Sequence, residues 1–314
     1  MTVGTDPAPD HLDRVVVTGA AGLIGRAVLD LLQERGISAT ALVLADPGDL
    51  KADRVIVGNA GDPVVARDAV ADADAVVHLA AIPSPVPGRE QEVFAGNTAA
   101  TFAVLEAAGR AGITRATIAS SINALGLRYT PVPGTAPASL PWDVSQATAA
   151  ADPYSMSKWV DEFTAAAMAR RHGMSVVCLR YPYVMRLRST ALSELDPYVG
   201  GVEERLAGGA TDLWLYLDVR DAAAAALAGL AVPGPGAVPI YVAAPTTFLP
   251  YPTEQVLDRY WPQVPRTQRL EGRAAPVDLA PMRTILGIEP KHVLHAELVD
   301  LPPAELLATE LGRR

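Results

Sequence analysis

Cysteine is almost missing: Cys178 stands alone in 314 residues, so no internal disulfide is available. It lies in the apolar run 175–179 and reads as an inert core thiol, not a nucleophile. Positive charge is also in deficit. A net charge of −9 argues against nucleic acid or an anionic membrane as the main partner. Long apolar runs are lacking too. No stretch approaches the roughly 18 apolar residues of a membrane span, the alanine-rich 222–230 included. Residues 1–7 have neither the basic nor the apolar region of a signal peptide, so a cytoplasmic location is expected. His292-x-x-His295 has part of a metal spacing, but no cysteine and no third ligand accompanies it. Two solvated histidines and no metal are expected there. A Gly-x-Ser-x-Gly elbow and a Walker lysine are both absent.

Half of the chain is apolar, enough for one large domain or a domain with a smaller lobe. The rest is organised around Val15-Val16-Val17-Thr18-Gly19-Ala20-Ala21-Gly22-Leu23-Ile24-Gly25, a β-branched run that stops in glycine and continues into Arg26 and an apolar helix pattern. This reads as strand, tight turn, helix. Glycines there admit positive φ, let backbone approach a ligand and let the helix pack closely on the strand. The helix start aims free N–H groups and the positive end of the dipole at an anion.

Strands at 39–44, 54–57 and 74–79 and a helix at 64–70 continue the alternation, then a long helix at 89–111 and a strand at 115–119. Alternating buried strands and helices imply parallel strands with right-handed crossovers, hence an α/β doubly wound sheet that binds ligands at its carboxyl edge. The turns after Thr18, Leu79 and Ala119 then line one crevice. Residues 127–151 hold four prolines and few periodic apolars and are expected to be irregular surface chain. Asp152 as N-cap, Pro153 at the first helical position and Gly173 at the far end frame a further helix. Tyr154 and Lys158 are four apart, so both share one face of that helix, about 6 Å apart along the axis. Stretches 212–217, 219–230 and 240–243 are expected to rejoin the main sheet. Domain bounds follow: residues 13–182 with 211–244 for the sheet domain, and 183–210 with 245–314 for a lobe that closes over the crevice.

With Thr18-Gly19-x-x-Gly22-x-x-Gly25, His78-Leu79-Ala80-Ala81, Asn97, Ser120-Ser121 with Gly126, Tyr154-x-x-x-Lys158, Leu179-Arg180-Tyr181 and Asp218-Val219-Arg220-Asp221, the chain resembles the extended short-chain dehydrogenase/reductases, the NAD-dependent epimerase/dehydratase group. The resemblance implies a Rossmann-type domain, a nicotinamide dinucleotide, a small-molecule substrate and a homodimer built from the helices at 89–111 and 152–171. It implies Ser121, Tyr154 and Lys158 as the catalytic set. Ser121 is chosen over Ser120 because the family's hydroxyl lies five residues before the glycine matched by Gly126. Free tyrosine, with a pKa of about 10, is too weak a base near neutrality. The ammonium of Lys158 and a positive nicotinamide are expected to lower it, while Ser121 holds the reacting oxygen.

The implied cofactor contacts are Gly19, Gly22, Leu23, Ile24 and Gly25 at the turn. Asp46, Asn59, Ala60, Leu79, Ala80, Ala81, Asn97, Tyr154, Lys158 and Tyr181 complete the implied set. The family's ribose-binding acid aligns with Val43, but Asp46 stands three positions later, and neither 43 nor 44 is basic. NAD is therefore favoured over NADP. On the substrate side the expected residues are Ser84, Ser121, Asn123, Tyr154 and Arg186. Ser84 sits in the proline-rich 82–87, either a pocket wall or a plain surface loop. Asn123 either orients a substrate hydroxyl or caps its turn. Ile122-Asn123 replaces the Asp-Glu pair of dehydratases, and 180–186 replaces the Asn-x-Tyr-Gly-Pro segment of many nucleotide-sugar enzymes. Arg186 and Arg188 suit a carboxylate or a phosphate equally. A dehydrogenase similar to those acting on uronic acids is thus expected, against an epimerase that retains NAD and a non-catalytic dinucleotide-binding regulator.

Overall fold

The computed structural model describes residues 12–130, 132, 134–192 and 202–303. The expectations for residues 1–7 and for parts of the lobe, 193–201 and 304–314, lie outside them.

Every second residue of the first strand faces the same way, and this period sorts the core. Val15 and Val17 of β1 (Arg14–Thr18) join one apolar cluster and Val16 the other, all fully buried. Burial on both faces is the mark of a covered parallel sheet. Around β1 lie β2 (Ser38–Val43), β3 (Arg54–Val57), β4 (Ala75–His78), β5 (Arg115–Ser121), β6 (Ser175–Tyr181) and β9 (Gly236–Tyr241), in the order β3-β2-β1-β4-β5-β6-β9. All six pairings are parallel, with Thr18 beside Leu42 on one side and His78 on the other. The doubly wound sheet is as expected.

One face carries α2 (Pro63–Ala69), α3 (Glu90–Arg110) and α4 (Pro153–His172); the other carries α1 (Leu23–Glu34) and α6 (Val219–Gly229). The alanines of α6 let it lie close on the sheet, and a Cβ on Gly229 would stand 2.4 Å from the Thr117 methyl. The order of connection reverses at β1, from which the chain runs outward to β2 and β3 on one side and to β4 on the other, and the crevice opens at that switch point.

Two expectations are corrected. Residues 212–217 do not rejoin the main sheet: β8 (Tyr216–Asp218) pairs in parallel with β7 (Tyr183–Met185) in a separate two-stranded sheet. A strand of three residues satisfies its backbone with whichever edge the chain brings near, and β7 directly follows β6. Nor is 127–151 surface chain throughout. Leu127, Leu140 and Trp142 are buried, and Leu140 and Trp142 bridge to Arg266 and Val277. Leu127, Leu140 and Trp142 join the apolar cluster that also takes in β1 and α1, and α7 (Thr253–Tyr260) and α8 (Ala280–Thr284) flank their bridge partners in the chain. Of α5 (Val202–Gly209), Leu206 accepts the Trp214 indole N–H through its carbonyl at 2.8 Å.

Candidate active site

Gly19 ends β1 at φ +66°, a backbone that glycine alone adopts freely, and its amide donates to the Leu42 carbonyl at 3.0 Å. A Cβ at Gly19 would stand 2.8 Å from the Ala80 nitrogen, and one at Gly25 2.4 Å from the Gly19 carbonyl. The glycines thus let the turn, α1 and the end of β4 share one small volume. The helix begins without a side-chain cap at Gly22 and without an acid in its first turn. Its leading N–H groups, at Leu23 and Ile24, are left for an anion. A dinucleotide's pyrophosphate fits that set.

Thr18 ties the turn to its neighbour. Its Oγ1 accepts from the Leu79 and Ala80 amides, both at 3.1 Å, and bonds His78 Nδ1 at 2.8 Å. With both lone pairs used, Thr18 donates to Nδ1, so the proton of His78 sits on Nε2 and is given to Thr101 at 3.2 Å. Burial, helped by the Lys158 charge, pushes the His78 pKa down to about 3, which keeps the imidazole neutral. Leu79, Ala80 and Ala81 then form a half-buried wall. Asn97 is buried and fully engaged: Oδ1 accepts from the Ile82 amide at 2.8 Å, while Nδ2 donates to the Ile82 carbonyl and to Ser157 Oγ at 3.1 and 3.0 Å. It holds the wall against α4.

On the other side of β1, Asp46 is exposed in the connection after β2, its Oδ1 accepting from the Gly48 amide at 2.8 Å. Asn59, exposed after β3, accepts from the Gly61 amide at 2.9 Å, and Ala60 is buried beside it. Tyr181 is a core residue whose hydroxyl donates to the Ala222 carbonyl of α6 at 2.8 Å, with burial raising its pKa.

Helix α4 starts as its sequence dictates. Asp152 Oδ1 accepts from the Tyr154 and Ser155 amides at 3.0 and 2.9 Å, Pro153 fills the first position, and Gly173 closes the helix at φ +70°. That fixes Tyr154 and Lys158 in the first turns, facing the end of β5. Tyr154 is buried beside Ser121, and its ring centroid lies 6.0 Å from Lys158 Nζ. Ser121 Oγ accepts from the Asn123 amide at 3.1 Å, which leaves the serine proton for an oxygen in the crevice. Lys158 Nζ donates to the Ala119 carbonyl at 2.8 Å and to Asp161 Oδ2 at 3.3 Å. The expected depression of the Tyr154 pKa is not reached by the protein alone. Burial of the phenolate outweighs Lys158 and Ser121 and holds the phenol above its ordinary value, with Tyr129 and Asp161 acting in the same direction.

The match to the NAD dependent epimerase/dehydratase family spans residues 15–242, most of the chain and all of these groups. The chain belongs to that family. It is 33% identical over 178 residues to the L-arabinose 1-dehydrogenase (NAD(P)(+)) of Haloferax volcanii, covering 55% of this chain and 67% of the relative. To the UDP-glucose 4-epimerase of Azospirillum brasilense it is 31% identical over 182 residues, 54% of this chain but 48% of the epimerase, so it spans about half of that relative's length. Among solved structures, a short-chain dehydrogenase/reductase superfamily protein from Agrobacterium tumefaciens with bound NAD matches with a TM-score of 0.67 at 22% identity, over 96% of this chain and 98% of that one.

Asn123 does not cap its turn, because Ser121 does; its Oδ1 is buried without a partner. Ser84 is half-buried in the 82–87 connection. Arg186, exposed just after β7, makes no ion pair or hydrogen bond among the described residues. Four groups at the site escaped the sequence reading. Asp161 was legible as the position three after Lys158. Tyr129, edge-on to Tyr154 at 6.1 Å, and Arg128, stacked 5.6 Å from the Tyr129 ring and paired with Asp212, lay in a segment read as surface chain. The fourth is Asp49, hydrogen-bonded to Arg26. His292 is half-buried and held by Asp221 at 3.0 Å, and His295 is exposed. No group of three or more metal-binding side chains occurs among the described residues.

Proposed function

We propose that this protein is a nicotinamide-dinucleotide oxidoreductase acting on a secondary alcohol or ketone of a polar, sugar-like substrate, in the manner of a uronate dehydrogenase. The observation that carries the reading is that Ser121 at the end of β5 and Tyr154 at the start of α4 are both buried, with Lys158 on the same helix face as Tyr154.

Gly19, Gly22 and Gly25 with the amides of Leu23 and Ile24 would hold the pyrophosphate. Asp46, Asn59 and Ala60 would hold the adenosine, with Leu79, Ala80 and Ala81 as the wall that Asn97 braces. Tyr154, Lys158 and the Tyr181 backbone would face the nicotinamide ribose. When bound, the cofactor supplies the hydride acceptor or donor, with NAD favoured and NADP the alternative. Ser121 donates to the reacting oxygen, and Tyr154 takes or returns its proton. Lys158 supplies the positive charge that favours phenolate against the burial. Asn123 Oδ1 offers an acceptor to a neighbouring hydroxyl, Ser84 a further donor, and Arg186 a two-pronged site for a carboxylate.

Dehydrogenase is favoured over epimerase because 183–185 forms a strand paired with β8 where many nucleotide-sugar enzymes carry a Gly-Pro turn. The division into a sheet domain and a lobe, a cytoplasmic location and a homodimer belong to the same reading. The dimer is supported by Phe102, Trp159 and Phe163, which are exposed on α3 and α4.

The test is a panel of uronic acids, aldoses and nucleotide sugars with excess NAD⁺. Nicotinamide absorbance rising past one equivalent per site with a uronic acid or aldose supports the dehydrogenase. Tightly held NAD with interconversion of two nucleotide sugars and no NADH overturns it in favour of the epimerase.

A further inference from the structure

The corner between the first two strands holds an arrangement that the proposed reaction does not use. Arg26 directly follows the last glycine of the turn, and its Nε donates to the Ala21 carbonyl at 3.2 Å. Its two terminal nitrogens run side by side to one carboxylate: Nη1 to Asp49 Oδ2 at 3.1 Å and Nη2 to Oδ1 at 2.8 Å. Asp49 comes from the β2–β3 connection, so the pair ties this connection to the start of α1. The glycine turn is itself held to the end of β2 through Gly19 and Leu42.

In a doubly wound sheet this corner receives the adenosine ribose, where an acid meets a free 2′-hydroxyl and an arginine meets a 2′-phosphate. A guanidinium fork is the group best matched to a phosphate. Arg26 reaches this corner from the start of α1, but its fork is filled by Asp49. The other cation of the corner, Lys51, is paired with Asp30 at 2.8 Å. Residues 43–46 are Val43, Leu44, Ala45 and Asp46, with no cation among them.

We propose that the Arg26–Asp49 pair sets the cofactor preference of this site: Asp49 occupies the guanidinium fork that a 2′-phosphate would require, so the site takes NAD over NADP. The inference rests on the nicotinamide-dinucleotide reading above and adds to it the residue pair that discriminates. To seat a 2′-phosphate, Arg26 must leave Asp49, and the released carboxylate then stands, with Asp46, beside a dianion. A free hydroxyl asks for neither change. Removing the charge of Asp49 while keeping its shape leaves Arg26 unpaired and ready for phosphate.

The test is equilibrium titration of the full-length, nucleotide-stripped protein with NAD⁺ and with NADP⁺, which needs no substrate. Wild type is expected to bind NAD⁺ about tenfold tighter or more. Asp49→Asn is expected to tighten NADP⁺ by about tenfold and to move NAD⁺ by less than about threefold. Adding Arg26→Gln should erase the gain. Asp49→Ser serves as the second variant where asparagine disturbs the connection, and a cooperative thermal melt reports folding for each. The proposal is overturned if wild type binds both dinucleotides equally, if neither Asp49 variant tightens NADP⁺, or if NAD⁺ weakens about tenfold with no gain for NADP⁺, which makes Asp49 a direct ribose ligand. Wild type that binds neither dinucleotide overturns the cofactor reading and this proposal with it. That failure is distinct, because NAD⁺ binding is then absent, not merely unselective.

Discussion

Glu162 and Arg180 meet in a buried two-pronged ion pair, Nη2 to Oε2 at 2.7 Å and Nε to Oε1 at 2.8 Å, between α4 and β6. The arginine is 1% exposed and also lies 5.4 Å from the Tyr241 ring. Ser120 donates to the same carboxylate, so the residue beside Ser121 is anchored to the pair. Removing the charge of Glu162 alone would strand a buried guanidinium. Glu162→Gln is expected to lose about 3 kcal/mol of stability, whereas Glu162→Met with Arg180→Met should lose less. Urea unfolding of the two variants checks the order; a double variant worse than the single one would show the pair to be net stabilising.

Tyr154→Phe keeps the ring and its edge contact with Tyr129 but removes the proposed proton carrier. Turnover is expected to fall by about a hundredfold or more, with dinucleotide affinity little changed. Steady-state rates with the substrate found by the panel, beside a titration with NAD⁺, check both parts. Turnover near wild type would remove Tyr154 from the chemistry.

Asp161 shares the Lys158 ammonium, and its negative charge raises the Tyr154 pKa. Oxidation of an alcohol needs the phenolate, so its rate climbs with pH through that pKa. Asp161→Asn should therefore shift the acidic limb of kcat/KM for oxidation to lower pH. A pH–rate profile of the two proteins reads this shift. A limb that stays in place assigns Asp161 to packing alone.

His78 is neutral and buried, with a pKa pushed down to about 3 from an unfolded value near 6.5. The unfolded chain binds the extra proton between those two values, so this contribution is complete above about pH 6.5 and drains away as the pH falls toward 3. The slope corresponds to roughly 1.4 kcal/mol per pH unit within that window. Denaturant midpoints at pH 7.5, 6 and 5 should fall in that order, and His78→Gln should flatten the trend at the expense of stability at neutral pH. Equal slopes for both proteins would sink the assignment.

Much of this architecture can be read before folding, for identifiable reasons. The alternation of Val15, Val16 and Val17 between two clusters, and the Asp152-Pro153 start of α4, are local instructions that no distant residue overrides. Tyr154 and Lys158 inherit their placement from that start. What was not legible depends on partners remote in the chain. Leu140 and Trp142 carry no period of their own and are buried by Arg266 and Val277, more than a hundred residues away. The three residues of β8 are too few to reveal an edge preference. The Tyr154 pKa went the other way because a sequence names the neighbouring ammonium but not the depth of burial that outweighs it.

The proposed reacting groups hang from one strand and one helix, β5 and α4, and these are tied together by the Lys158–Ala119 and Ser120–Glu162 bonds. Ser84 and Arg186 instead hang from two separate connections of the chain. A connection can be rewritten without moving a strand, so the choice of alcohol is free to change while the acid, the base and their spacing stay as they are. Substitutions at Ser84 and Arg186 should accordingly move selectivity among sugars, leaving the proposed proton chemistry of Ser121, Tyr154 and Lys158 in place.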